Sequence, residues 1–109
     1  MTYAEISQMI SAVGIPYAYR HFEEGSGQQP PFITFYYDGE NDLKADNINY
    51  QRIRPLTIEL YTDNKDFVLE AAVESVLTAN DLAFSRTEVF IDSEQMYMVT
   101  YNTEVLINA

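Results

Sequence analysis

Two segments of the chain carry apolar residues at helical spacing, and much of the remainder alternates. In residues 2–13, Tyr3, Ile6, Met9, Ile10 and Val13 recur three and four apart, the period at which one face of an α-helix repeats. Thr2 and Glu5 have the spacing of a capping box, in which hydroxyl and carboxylate each satisfy a backbone N–H that the first turn leaves free. Gly14 can close this helix in the left-handed conformation, and Pro16 forbids its continuation. A second helix is predicted over 65–79, with Leu69, Ala72, Val73, Val76 and Leu77 as its packing stripe. Asp66, Glu70 and Glu74 fall four apart on another face. The first two suit the positive N-terminal end of a helix, while no Lys or Arg follows at i+4 to neutralise Glu74. Asn80 is the expected C-terminal cap.

Strands fill most of the rest. Residues 15–22 alternate well enough for one, with Pro16 at its start, where a missing donor costs little. Phe32 to Tyr37 is a dense run of β-formers, expected to be apolar on both faces. Over 50–61, Leu56, Ile58 and Leu60 alternate strictly with Thr57, Glu59 and Tyr61, and Pro55 puts the start of that strand at a sheet edge or a bulge. The segments 82–91 and 96–107 read as two long strands joined by Asp92-Ser93-Glu94-Gln95. A tight connection sets Phe90 opposite Tyr97 and Arg86 opposite Tyr101. Along the last strand Tyr97, Val99, Tyr101, Val105 and Ile107 share one face. Between these elements, 23–31 is a Gly- and Pro-rich loop, and 38–49 is polar, acidic and turn-rich, a crossover. The order α-β-β-β-α-β-β makes one α+β domain over 1–109, a mainly antiparallel sheet of about five strands with both helices on one face.

Charge narrows what such a domain can do. Lys and Arg number 6 against 17 Asp and Glu in 109 residues, a formal net charge of −11. A surface that neutralises phosphates needs clustered cations. Only Arg52 and Arg54 lie close together, so specific nucleic-acid binding is not expected; the two could instead contact an acidic neighbouring subunit. There are no cysteines, which excludes thiolate metal sites, disulfides and cysteine nucleophiles. No apolar run reaches the length of a membrane span, and the opening residues lack a signal peptide's basic and apolar regions.

Catalytic groups are sparse. His21 is the single histidine, no serine sits in a nucleophile elbow, and Gly25-Ser26-Gly27 lacks the lysine of a phosphate loop. Asp38, Glu40 and Asp42 imitate the start of a calcium loop, but Leu43 stands where the turn glycine belongs and Asn49 where the bidentate glutamate belongs. The pairs Glu23-Glu24 and Asp92/Glu94 read as solvated acidic turns. No catalytic, cofactor or metal residues are therefore expected, and the chain is not read as an enzyme. What remains is surface. Eight of the nine tyrosines spread over strands that two short helices cover on one side only, and tyrosine is favoured at interfaces. Tyr36, Tyr37, Tyr50 and Tyr61, with Arg52 and Arg54, are the candidate contact residues.

The opening Met-Thr-Tyr-Ala-Glu-Ile, Gly14-Ile15-Pro16-Tyr17-Ala18-Tyr19, Pro30-Pro31-Phe32-Ile33, Ile58 through Asp66, and the ending from Met96-Tyr97 to Ile107 together carry a resemblance. Over essentially the whole chain it resembles small proteins of tailed phages and prophages of Gram-positive bacteria, encoded in the head–tail morphogenesis cluster. The group is similar to tail-completion or tail-terminator proteins. Phe67 departs from it, standing where proline is expected. The resemblance implies a structural ring, commonly of six subunits, that caps the tail tube and joins it to the head. Its partners would be copies of itself, tail-tube and head-connector proteins, with DNA passing through passively. It would assemble in the host bacterial cytoplasm and end in the virion. The competing reading is a small acidic DNA mimic or inhibitor, which needs carboxylates in paired rows on one face. A small hydrolase would need a pocket joining His21 to at least two carboxylates.

Overall fold

The capping box at Thr2 forms as its spacing requires. The Thr2 hydroxyl accepts from the Glu5 N–H at 3.1 Å and the Glu5 carboxylate accepts from the Thr2 N–H at 2.8 Å, opening helix α1 (Tyr3–Ser11). These bonds hold the exposed Glu5 carboxyl below its usual pKa. Gly14, at φ +89°, supplies the left-handed turn beyond it. The computed structural model describes residues 1–23, 25–45 and 48–108, and the side chains of all of these except 44, 45 and 48–51.

After α1 come β1 (Tyr17–Tyr19), β2 (Phe32–Tyr37), β3 (Leu43–Ala45), β4 (Ile48–Gln51) and β5 (Ile53–Thr62), then helix α2 (Phe67–Ala79) and the strands β6 (Ser85–Ile91) and β7 (Met96–Leu106). The main sheet runs β1-β2-β5-β7-β6. β1 is parallel to β2 and every other pairing is antiparallel, so the sheet is mixed and the class is α+β. Two elements differ from expectation. β1 is shorter than 15–22, because Arg20 takes φ +65°, a left-handed conformation that ends an extended run. Residues 38–49, read as a plain crossover, hold β3 and the start of β4, which runs on through residues 50 and 51 of the strand expected over 50–61 and pairs with β3 in a separate two-stranded sheet.

Pro55 explains itself through backbone direction. Its carbonyl accepts from the Asp38 N–H at 3.1 Å, so its missing donor faces the same side, one step past the end of β2 at the Tyr37–Leu56 pair. β5 is central along most of its length, and its first residues reach beyond β2, where a proline disturbs no ladder bond.

The alternation of side chains across the pleat aligns Ile33 and Phe35 of β2 with Leu56, Ile58 and Leu60 of β5 and Val99, Tyr101 and Val105 of β7. This row forms a single buried cluster with Ile6, Met9 and Ile10 of α1 and Val73 and Leu77 of α2. Each fully buried aliphatic side chain in it contributes about 1.5–3 kcal/mol by removing apolar surface from water. The hairpin register is the one the short connection sets: Phe90 faces Tyr97 and Arg86 faces Tyr101.

Candidate assembly surface

The same alternation puts Phe32, Thr34 and Tyr36 of β2, Thr57, Glu59 and Tyr61 of β5, Met98, Thr100 and Asn102 of β7, and Thr87 and Val89 of β6 on the opposite face. Among the described residues no helix contributes to this face. Its hydroxyls are satisfied within the sheet: Thr34 donates to Glu59 and Thr57 to Asn102, each at 3.1 Å. Tyr61 stacks on Phe32 with centroids 4.8 Å apart, and Phe22 meets Phe32 edge-on at 5.3 Å. Burial raises the pKa of the Tyr61 hydroxyl, and the Glu59 carboxylate adds to it. The left-handed turn at Arg20 carries its guanidinium over the Tyr36 ring, 4.9 Å from the centroid, a cation–π contact.

The candidate residues thus do not form one patch. Tyr36 and Tyr61 share the uncovered face. Tyr37 lies on the helix-covered face, edge-on to Tyr3 at 5.0 Å, its hydroxyl pushed up to about 12 by burial. Tyr50 lies in β4, with its side chain outside the described residues, as are Glu24 and the side chain of Asn49. Arg52 is exposed, and its carbonyl accepts from the Ile107 N–H at 2.8 Å. Arg54 ion-pairs with Asp42 and, at 3.8 Å, with Glu40. Burial works against its charge, but the Asp42 carboxylate outweighs that and raises its pKa.

A second charged cluster arises at α2, where the spacing of Asp66, Glu70 and Glu74, four apart, predicts a face other than the packing stripe. Glu70 is 2% exposed and pairs with both Lys65 and Arg86. Arg86 also approaches Glu74 and Glu88, each at 3.8 Å, and the Tyr101 hydroxyl donates to Glu74 at 2.9 Å. Burial and that bond raise the Tyr101 pKa. Burial opposes the charges of Lys65 and Arg86, but their carboxylate partners prevail and raise both pKa values. The neutraliser of Glu74, absent at i+4, comes from β6. The signal was present in the sequence: Glu70 stands three and seven residues before Val73 and Leu77, on the buried stripe. The carboxylates around Arg54, Lys65 and Arg86 are thereby committed inside the chain, which is unlike the paired acidic rows of a DNA mimic.

Where the segment after β1 meets the uncovered face, a shallow cleft of about 390 Å³ is lined by His21, Glu23, Glu94, Phe32, Tyr61 and Met96, among others. It brings the single histidine and two carboxylates to one rim, the combination a hydrolase would require. All three are exposed. The His21 Nδ1 lies 2.9 Å from the Phe22 carbonyl, and among the described residues His21 makes no hydrogen bond to either carboxylate. Among the described residues no three His, Cys, Asp or Glu are gathered to hold a metal ion, and no helix is long and apolar enough to cross a membrane.

The fold, in contrast to the individual side chains, has a counterpart. It is similar to a chain in the "virion of native gene transfer agent (GTA) particle", with a TM-score of 0.58 and 13% sequence identity over 90% of this chain and 84% of that one. No protein-family model and no curated protein sequence matches the chain. At this identity the likeness concerns the path of the backbone: the shared feature is the arrangement of the α+β sheet and its helices.

Proposed function

We propose that the protein is a structural subunit of a tailed-phage-like virion, a tail terminator or head–tail joining protein that works as an oligomeric ring without catalysis. The observation that carries this reading is the fold shared, over 90% of the chain, with a component of a gene transfer agent virion. The resemblance to head–tail morphogenesis proteins of Gram-positive phages and prophages supports the position in the particle and a ring of six. A sheet with one face left without helices supports assembly, because closed symmetry buries exposed edges and aromatic surface. In this reading Tyr36 and Tyr61 meet the tail-tube or connector protein. The acidic segments 23–31 and 38–49 face neighbouring rings or the channel, where negative charge repels DNA phosphates and lets the genome slide. The subunit is made in the host bacterial cytoplasm and ends in the neck of the virion.

The test is an assembly experiment. Cells making particles without this protein are expected to accumulate filled heads and separate tails, which the purified protein then joins. Joined particles forming at the usual yield in its absence contradict the reading. A ring reconstruction with a basic channel, and with both acidic segments on the outer rim, contradicts the channel assignment alone.

A further inference from the structure

The main sheet ends in two edge strands, β1 and β6, whose outer sides have no strand partner among the described residues, and the direction of their free backbone groups follows from bonds on the inner side. The Ile107 N–H donates to the Arg52 carbonyl, so the odd residues of β7 point at β5 and the even ones at β6. Met98, Thr100 and Asn102 therefore bond to Val89, Thr87 and Ser85, and the N–H and C=O groups of Arg86, Glu88 and Phe90 point out of the sheet. At the other edge, Pro16 accepts from the Ile33 N–H and Arg20 donates to the Phe35 carbonyl. Even residues face β2 there, and Tyr17 and Tyr19 point outward.

The two edges match in three ways. Following the pairings across the sheet, β6 and β1 run in opposite directions, so a copy placed beside another in the same orientation sets β6 antiparallel to the next copy's β1. The outward residues of both strands carry their side chains on the same, helix-covered face, as a hydrogen-bonded antiparallel pair demands. Finally, both edges expose large apolar side chains: Tyr17 at 39% and Tyr19 at 48% on one, Val89 at 50% and Phe90 at 41% on the other. β6 has no lysine, proline or bulge to blunt its edge, and its two charged residues, Arg86 and Glu88, are ion-paired within the chain to Glu70 and Lys65.

We propose that copies of this chain assemble head to tail by sheet continuation, the β6 edge of one subunit pairing antiparallel with the β1 edge of the next, Phe90 opposite Tyr17 and Glu88 opposite Tyr19. This register sets aromatic on aromatic and, on the other face, Val89 beside Ala18. The N–H groups of Tyr17, Tyr19, Glu88 and Phe90 all find carbonyl partners; the Tyr19 carbonyl, which takes the Glu88 N–H, also accepts from the His21 N–H at 2.8 Å. β1 has three residues, so a single contact is short. Closing a ring holds each subunit at both edges, which raises avidity without any new contact. The inference deepens the ring reading of the preceding subsection and rests on it.

The chain has no cysteine, which makes cross-linking selective. Under mild oxidation the doubly substituted Tyr17→Cys/Phe90→Cys protein is expected to give a ladder of covalent oligomers ending in one discrete closed species. Each single variant alone is expected to stay uncross-linked, and a mixture of the two to give only the heterodimer. Glu88→Pro removes an outward N–H without touching the β7 ladder and also removes the Glu88 ion pair with Lys65, so it is expected to abolish assembly, while Glu88→Ala, which removes the ion pair alone, is expected to keep it. Dimers from Phe90→Cys alone mean that β6 pairs with itself, and overturn the proposal. Native mass spectrometry separates the two claims. A ring in the parent protein without cross-linking in the double variant overturns this edge pairing and leaves the ring standing. A solitary mass at every concentration, with and without tail tubes, overturns both.

Discussion

Leu60 and Tyr61 are neighbours in β5, yet the first is fully buried beneath the helices and the second is half exposed, stacked on Phe32 where no helix lies. The helix-covered face holds aliphatic side chains and the Glu70 ion-pair cluster. The other holds threonine pairs, methionines and two tyrosines. The difference teaches that one face of this sheet suffices to hold the fold, leaving the second face and the edges available for contacts. The sharpest way to break that comparison is to truncate both neighbours. Leu60→Ala is expected to cost about 2–5 kcal/mol through lost burial and the cavity left behind. Tyr61→Glu is expected to cost about 1 kcal/mol, an ordinary value for a partly exposed site, while weakening the joining of heads to tails. Equal losses in urea unfolding would mean that both faces are core.

Arg86→Ala comes next, at about 1.5–3 kcal/mol, because it removes charged hydrogen bonds from a buried carboxylate, with Lys65 still neutralising part of Glu70. A change indistinguishable from zero would mean that the cluster is ornamental. Burial of tyrosine hydroxyls, on either face, also predicts an alkaline limit. Tyr37, Tyr61 and Tyr101 all have hydroxyls raised above the ordinary value of 10.0. The unfolded chain releases those protons first and binds fewer of them, so stability falls as pH rises. Thermal midpoints are expected to drop from near pH 10 to about 12, the value for Tyr37, and Tyr37→Phe is expected to flatten part of that slope. The smallest effect is at the cap: Thr2→Ala is expected to cost about 1 kcal/mol. The Glu5 half of the box works above its unfolded pKa of 4.5 and fades as pH falls through its lower folded value, which acid titration of the midpoint checks.

What the sequence made legible follows the range over which each signal acts. The register of Phe90 with Tyr97 was readable because a short connection leaves a hairpin little choice. The cap at Thr2 was readable because its two partners are three residues apart. The β3–β4 pair was hidden in a polar, turn-rich stretch, where the alternations Leu43/Ala45 and Ile48/Tyr50 are each too short to stand out. The burial of Glu70 rests on Arg86, sixteen positions later, and local charge spacing gave no sign of that partner. The candidate contact residues divided for the same reason. Which face a tyrosine takes is decided by parity within the assembled sheet, so the adjacent Tyr36 and Tyr37 fall on opposite sides. Arg54 and Asp42, which pair across the fold, stand twelve positions apart.

Residue-resolved hydrogen exchange, on the solitary protein and on the assembled particle, tests the central claim most directly. The account expects the amides of Tyr17, Tyr19, Glu88 and Phe90 to exchange fast in the solitary protein and slowly after assembly, with those of Thr87 and Val89 slow in both. Assembled particles whose outward β1 and β6 amides exchange as fast as before, with new protection on α1 and α2 instead, would contradict it.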